Sequence, residues 1–229
     1  MTDEALEARQ PPREAWSRIQ ALAMLTALLA CQYEHAAWPV AVLAVPSFAG
    51  FIVASRHTLT PSGRFGLANA VTCARLVVVL CLVAPAAWLS SRAAVALTIG
   101  SLLLDGLDGW LARRRAETSV FGAHFDMETD ALFVLVVTLR LWLLTGYGSW
   151  VLLAGLLRYG YVLSLWLLPG TGREAPRSLL GRSAFLILIL GLIGGLSLPG
   201  AYGVCCVALG TLTVSLSFAR SFYFSHFAK

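Results

Sequence analysis

Apolar runs dominate the chain, and the charged, glycine and proline positions that interrupt them are spaced at intervals near the roughly 20 residues of a membrane-spanning helix. The first two runs, about Ile19–Cys31 and Ala36–Ala54, read as a hairpin-like pair. The former is short for a full span, and the latter carries Pro39 and Pro46. A polar break from Arg56 to Gly66, with Pro61, Ser62 and Gly63 as turn residues, marks a boundary. Beyond it lie six stronger segments, roughly Leu76–Leu89, Ala93–Leu111, Gly122–Leu144, Trp150–Leu168, Ala184–Leu198 and Tyr202–Phe218. Each is expected to be helical, because a bilayer leaves backbone groups no other local partner. The pattern predicts an all-α integral membrane protein, a six-helix transmembrane core bundle preceded by an N-terminal helical hairpin. The expected organisation is a tail over 1–18, the hairpin over 19–55, a membrane domain over 67–220 and a short tail over 221–229.

Charge orients this pattern. Arg113, Arg114 and Arg115 fall in one inter-helix segment, Arg173, Arg177 and Arg182 in another, and Arg220 and Lys229 near the end. The alternate loops hold only Arg92 or no charge. The positive-inside rule then places the arginine loops and both termini in the cytoplasm. Tryptophans such as Trp142, Trp150 and Trp166 need no cofactor to explain them, because aromatic residues gather at membrane interfaces.

Composition agrees with a membrane bundle: 58% of the 229 residues are hydrophobic and 13% charged, against about 25% charged in soluble domains. The formal net charge of +5 comes from arginine, since Lys229 is the only lysine. With no aromatic-basic array beside the arginines, anionic lipid and phosphate are the expected partners and nucleic acid is not. Cys31, Cys73, Cys81, Cys205 and Cys206 lie in or beside apolar stretches without metal spacing and read as small core residues. The acidic residues Asp3, Glu4, Glu7 and Glu14 do not suit the basic start of a secretory signal, so a cytoplasmic tail is expected.

Four carboxylates stand out, because acidic residues at membrane helix ends are costly without partners. Asp105, Asp108, Gly109 and Ala112 fall within a sector of roughly 100° on one helix. After a short arginine-rich turn, Gly122, Asp126 and Asp130 drift by about 40° per step of four on the next. Folded against each other, the two stripes bring the four aspartates together. Hard divalent cations, Mg²⁺ or Mn²⁺, would neutralise such a cluster, and two of them about 3.5–4 Å apart form the clamp used for phosphoryl displacement. Gly109 and Ala112 leave room for a nucleotide diphosphate, and Arg113 offers a planar fork to a phosphate or base oxygen.

As they stand, these residues resemble the signature of the CDP-alcohol phosphatidyltransferase family, DxxDGxxAR followed after eight residues by GxxxDxxxD, at every fixed position. The resemblance implies transfer of a phosphatidyl (phosphoryl-alcohol) group from a CDP-alcohol, commonly CDP-diacylglycerol, to a small alcohol or lipid acceptor. CMP is released, and the enzyme is expected to be a homodimer in the lipid bilayer serving phospholipid biosynthesis. It implies two Mg²⁺ or Mn²⁺ ions on Asp105, Asp108, Asp126 and Asp130, with Asp130 also the general base. Asp105, Asp108, Gly109, Ala112 and Arg113 would bind CDP. Geometry alone supports the clustering and does not choose the base. Upstream, Asn69, Thr72 and Arg75 are similar to the family's NxxTxxR stretch and suit an interfacial helix near the site, or a plain anchor whose arginine meets headgroups.

Other polar residues carry two readings each. Arg158, in mid-helix, meets an anionic acceptor or makes a structural ion pair. Arg177 and Arg182, with Arg173, cradle an acceptor phosphate or follow from topology alone. Arg140, about 15 Å along its helix from Asp130, is expected to snorkel to the far interface. Glu128 points away from Asp126 and His124 lies off the stripe, both as surface or interface groups. Two rival functions share some features: a Mg²⁺-dependent intramembrane prenyltransferase, which gives no reason for Gly109, Ala112 and Arg113, and a divalent-cation transporter, whose carboxylates should extend across the bilayer. The arginine-rich, lysine-poor composition suggests a bacterial inner membrane with the site facing the cytoplasm. No residue identifies the acceptor.

Overall fold

The computed structural model describes residues 13–168 and 179–227. Among them the architecture is all-helical, with eight α-helices: α1 Arg13–Glu34, α2 Trp38–Ala54, α3 Leu67–Cys81, α4 Ser91–Arg114, α5 Val120–Thr145, α6 Leu152–Leu167, α7 Leu179–Ser197 and α8 Gly200–His226. A single 3₁₀ turn, Ser149–Val151, leads into α6. Residues Ser91–Arg114, Ser149–Leu167 and Gly200–His226 are long and apolar enough to cross a membrane, and α2, α3 and Ser183–Ser197 are shorter apolar helices. The outer faces of the long helices expose Leu103, Leu212 and Leu216, as helices that meet lipid do.

Helix boundaries shift from expectation where local chemistry differs from hydropathy. The predicted Leu76–Leu89 segment is instead the second half of a helix that starts at Leu67 and ends at Cys81. Turns through Leu82–Ala84 and Pro85 occupy the rest. The terminal helix runs on past Phe218 to His226, because Arg220 and the serines around it interrupt the apolar run without breaking the helix. At the other end, α1 begins at Arg13, ahead of the first apolar run.

The helix α5 is the central post. Ala131–Leu141 is buried without interruption, which a helix achieves only when neighbours cover every face. It packs on α3, α6 and α7. The pair α7 and α8 packs closely, where small residues let the backbones approach: a Cβ on Gly194 would stand 2.8 Å from Cys206 Cβ.

An aromatic column ties the N-terminal hairpin to this post. Trp16 of α1 stacks on Phe51 of α2 at 3.8 Å between centroids, Phe51 on Phe121 at 4.9 Å, and Phe121 on Phe125 at 5.6 Å. The Trp16 Nε1–H donates to the Ser47 carbonyl at 3.1 Å.

Arg140 reaches the far end of the bundle but does not snorkel into headgroups. It is 4% exposed, and its guanidinium donates to the carbonyls of Leu82, Ala84 and Leu89 in the α3–α4 connection. Those carbonyls follow a helix end and lack intrahelical donors, which is why the arginine turns inward.

Candidate active site

The site is assembled by three helix ends. They are the N-terminus of α3, the C-terminal turns of α4 and the N-terminus of α5, which Ser119 caps, its Oγ accepting from Gly122 N at 3.0 Å. The Ser119 hydroxyl also donates to the Leu59 carbonyl at 2.7 Å, and the Asn69 side-chain amide donates to the same carbonyl at 3.1 Å and to that of Phe65 at 2.6 Å. The polar break before α3 is thereby sewn to the starts of α3 and α5. Glu117, from the arginine-rich turn, accepts from the Ala68 backbone N–H at 3.0 Å, a favourable place for a carboxylate at a helix N-terminus.

Close approach at this junction demands a glycine. A Cβ on Gly122 would stand 2.9 Å from Asn69 Oδ1 and 3.2 Å from Ser119 Oγ, so a larger residue would displace the two side chains that hold α3 and α5 together.

The four signature aspartates converge on Arg75. Its Nη1 donates to Asp105 Oδ1 at 2.5 Å and lies 3.5 Å from Asp108 Oδ2 and 2.9 Å from Asp126 Oδ1. Its Nη2 donates to Asp130 Oδ1 at 2.9 Å. The arginine is 1% exposed, while Asp105, Asp126 and Asp130 remain partly open. Asp108 is buried, its Oδ2 accepting from the Thr72 hydroxyl at 2.8 Å.

Asn69, Thr72 and Arg75 point into the bundle beside the site. They are one buried face of α3, turned inward because its polar groups find carboxylates and carbonyls there. The sequence placed Arg75 near the site but did not reveal it as the hub. Its signal was the spacing of three polar residues on a single helix face. Glu117 and Ser119 were missed outright; the acidic residue amid arginines and the serine three before Gly122 are the marks that could have found them.

The donor set suits hard divalent cations. One oxygen from each of Asp105, Asp108 and Asp126 lies within 4.8 Å of the others, and Asp130 joins them through the shared guanidinium. When ionised, four carboxylates face one guanidinium, so most of their charge is uncompensated. The Asp126 Oδ1 is also buried without a hydrogen bond, despite its proximity to Arg75. A buried carboxylate oxygen left this way fits a cation ligand.

Beside the carboxylates opens a cavity of about 160 Å³ whose lining includes Thr72, Asp108, Gly109, Ala112, Gly122 and Asp126. Its small residues are those expected to make space for a nucleotide. Arg113 lies along the same helix, with its Nη1 3.4 Å from where a Gly109 Cβ would stand.

Glu128 is not a surface group. It is fully buried, accepting from the Ser17 hydroxyl at 3.0 Å and from Arg158 Nη2 at 2.8 Å. Arg158 thus meets a carboxylate of its own bundle. His124 is half-buried on the first turns of α5, between exposed Ala123 and buried Phe125. Arg173 and Arg177 lie outside the described residues, as does the side chain of Arg182.

A family model described as CDP-alcohol phosphatidyltransferase matches residues 65–219, and the chain belongs to that family. It is accordingly a transferase of phosphate groups, and its apolar helices are consistent with a membrane protein. No curated protein and no solved structure matches the chain.

Proposed function

We propose that the protein transfers a phosphoryl-alcohol group from CDP-diacylglycerol to an acceptor hydroxyl, releasing CMP, in phospholipid biosynthesis. The observation that carries this reading is the juxtaposition of the aspartate cluster with the cavity along Gly109, Ala112 and Gly122. A cluster of carboxylates alone would serve many cations; one opening onto a groove of small residues beside Arg113 suits a diphosphate.

In this reading Asp105, Asp108, Asp126 and Asp130 hold two Mg²⁺ or Mn²⁺ ions. Bound there, such ions polarise the phosphate and stabilise the leaving oxygen. The Gly109–Ala112 face admits the donor's nucleotide, and Arg113 holds a phosphate or base oxygen through its planar fork. Asp130 accepts the proton of the acceptor hydroxyl, whose oxygen forms a bond to the phosphorus carrying the donor alcohol. The bond from that phosphorus to the CMP oxygen breaks, and CMP leaves. Thr72 orients Asp108 through its hydroxyl, and Arg75 shares the negative charge of the cluster.

The proposed phosphatidyltransferase membrane domain is 67–220, in a homodimer in a bacterial inner membrane with its site toward the cytoplasm. The arginine loops support that orientation. Arg177 and Arg182 are the proposed contacts for an anionic acceptor, and Arg158 is paired with Glu128.

Incubating purified protein with Mn²⁺, CDP-diacylglycerol and a panel of acceptor alcohols tests the reading, with CMP as the readout. Acceptor-dependent CMP release is expected. Diphosphate release from a prenyl diphosphate, without CMP release, would replace the reading by its enzymatic rival.

A further inference from the structure

The helix that carries Asp126 and Asp130 is held from behind in part by residues outside the family-matched region. At about 100° per residue, Asp126 and Asp130 are separated by about 40° around α5, and Glu128 lies diametrically opposite their midpoint. Phe121 and Phe125 fall within about 60° of Glu128 on the same rear face.

Glu128, with no solvent exposure, takes a hydrogen bond from Ser17 of α1 and an ion pair from Arg158 of α6. Phe121 and Phe125 receive the aromatic column from Trp16, Phe48 and Phe51 of the N-terminal hairpin. The matched family region begins at residue 65, so Ser17, Trp16, Phe48 and Phe51 all belong to the preceding hairpin.

A buried ion pair is a poor source of stability, since desolvating both charges offsets most of their attraction, and its best-attested use is to fix register. Register matters here. Rotating a helix by about 10° carries a carboxylate some 6 Å from the axis through about 1 Å, whereas metal–ligand distances tolerate only about 0.2 Å. A polar clamp opposite the ligands resists that rotation, because Ser17 of α1 and Arg158 of α6 both hold the same oxygen, Glu128 Oε1, and turning α5 would stretch both contacts.

We infer that Glu128, clamped by Ser17 and Arg158, is a positioning residue that sets the rotation of α5 and so the placement of Asp126 and Asp130. The N-terminal hairpin is then part of the catalytic unit rather than an appended anchor. The inference rests on the metal-holding role proposed for the aspartates.

The test measures Mn²⁺ affinity of the full-length protein in detergent by electron paramagnetic resonance, with thermal unfolding recorded alongside. Glu128→Met combined with Arg158→Leu replaces the pair by apolar groups, a change that buried pairs often tolerate in stability. With folding retained, Mn²⁺ should bind on the order of tenfold more weakly, the scale of losing a group that orients metal ligands. Wild-type affinity in the folded double variant overturns the inference. Should that variant not fold, Ser17→Ala removes one of the two donors with little change in packing. A severalfold weaker Mn²⁺ affinity supports the clamp, and an unchanged affinity rejects it. A wild-type protein that binds no Mn²⁺ would instead overturn the metal reading, and the inference with it.

Discussion

Arg75 Nη2 donates to Asp130 Oδ1 at 2.9 Å from a guanidinium whose other nitrogen lies within ion-pairing distance of Asp105, Asp108 and Asp126. One buried arginine thus supplies the positive charge among four carboxylates contributed by two other helices. Substituting it should weaken the metal-free protein most. Removing one partner of a buried charge cluster costs about 3–5 kcal/mol, reduced here because three of the aspartates are partly open. Arg75→Gln is expected to lower the melting temperature measured in EDTA, and Mn²⁺ should raise the variant's melting temperature by more than it raises the wild type's. An equal rise in both proteins would show that guanidinium and cations do not share the carboxylates.

Asp130→Asn tests the assignment of the base. The amide keeps the size of the side chain and an oxygen that can accept from Arg75, so a folded protein that still binds CDP is expected. Turnover should fall by about 10²–10⁴, the usual contribution of a positioned acid–base group. Isothermal titration with CDP, paired with CMP-release rates, separates binding from chemistry, and substantial retained turnover rules out Asp130 as the base.

Two glycines on the site helices should respond in opposite ways. At Gly122 an added methyl would stand 2.9 Å from Asn69 Oδ1, forcing apart the junction of α3 and α5 at a cost of about 1–3 kcal/mol. At Gly106, next to Asp105, nothing lies within 4 Å of the added Cβ, and alanine should stabilise the helix by up to about 1 kcal/mol. Melting temperatures of Gly122→Ala and Gly106→Ala check the pair; a loss at Gly106 would mean that its face of α4 is not the open surface seen here.

Arg140 should matter for stability and not for chemistry. Its three hydrogen bonds all go to backbone carbonyls of the α3–α4 connection. Arg140→Met is expected to destabilise the protein by on the order of 3 kcal/mol, since hydrogen bonds from a charged donor contribute about 1.5–3 kcal/mol each and the freed carbonyls regain water in part. The kcat of the folded fraction should stay near the wild-type value.

The sequence made the helical class and the clustering of the aspartates legible because both depend on local periodicity. Asp105, Asp108, Asp126 and Asp130 share faces by helix geometry alone, and a short turn between the two helices leaves them little choice but to meet. Residues whose partners lie far along the chain were harder to read. The ion pair of Glu128 with Arg158 and its bond from Ser17 span separations of 30 and 111 residues, and no periodicity encodes such a pairing. Arg140 was misplaced for a related reason: hydropathy locates a charge along a helix but not the carbonyls left open by a neighbouring loop. The boundaries of α3 and α8 shifted because polar residues extended α3 at its start and α8 at its end, while turns before Pro85 cut α3 short of its apolar run.

The most direct measurement is CMP release from CDP-diacylglycerol by the purified protein, with an acceptor alcohol, in Mn²⁺ and again after chelation by EDTA. The account predicts acceptor-dependent CMP formation that chelation abolishes, Mn²⁺ restores and Asp105→Asn or Asp126→Asn eliminates. CMP formation that persists unchanged in EDTA, or in the aspartate variants, would contradict it.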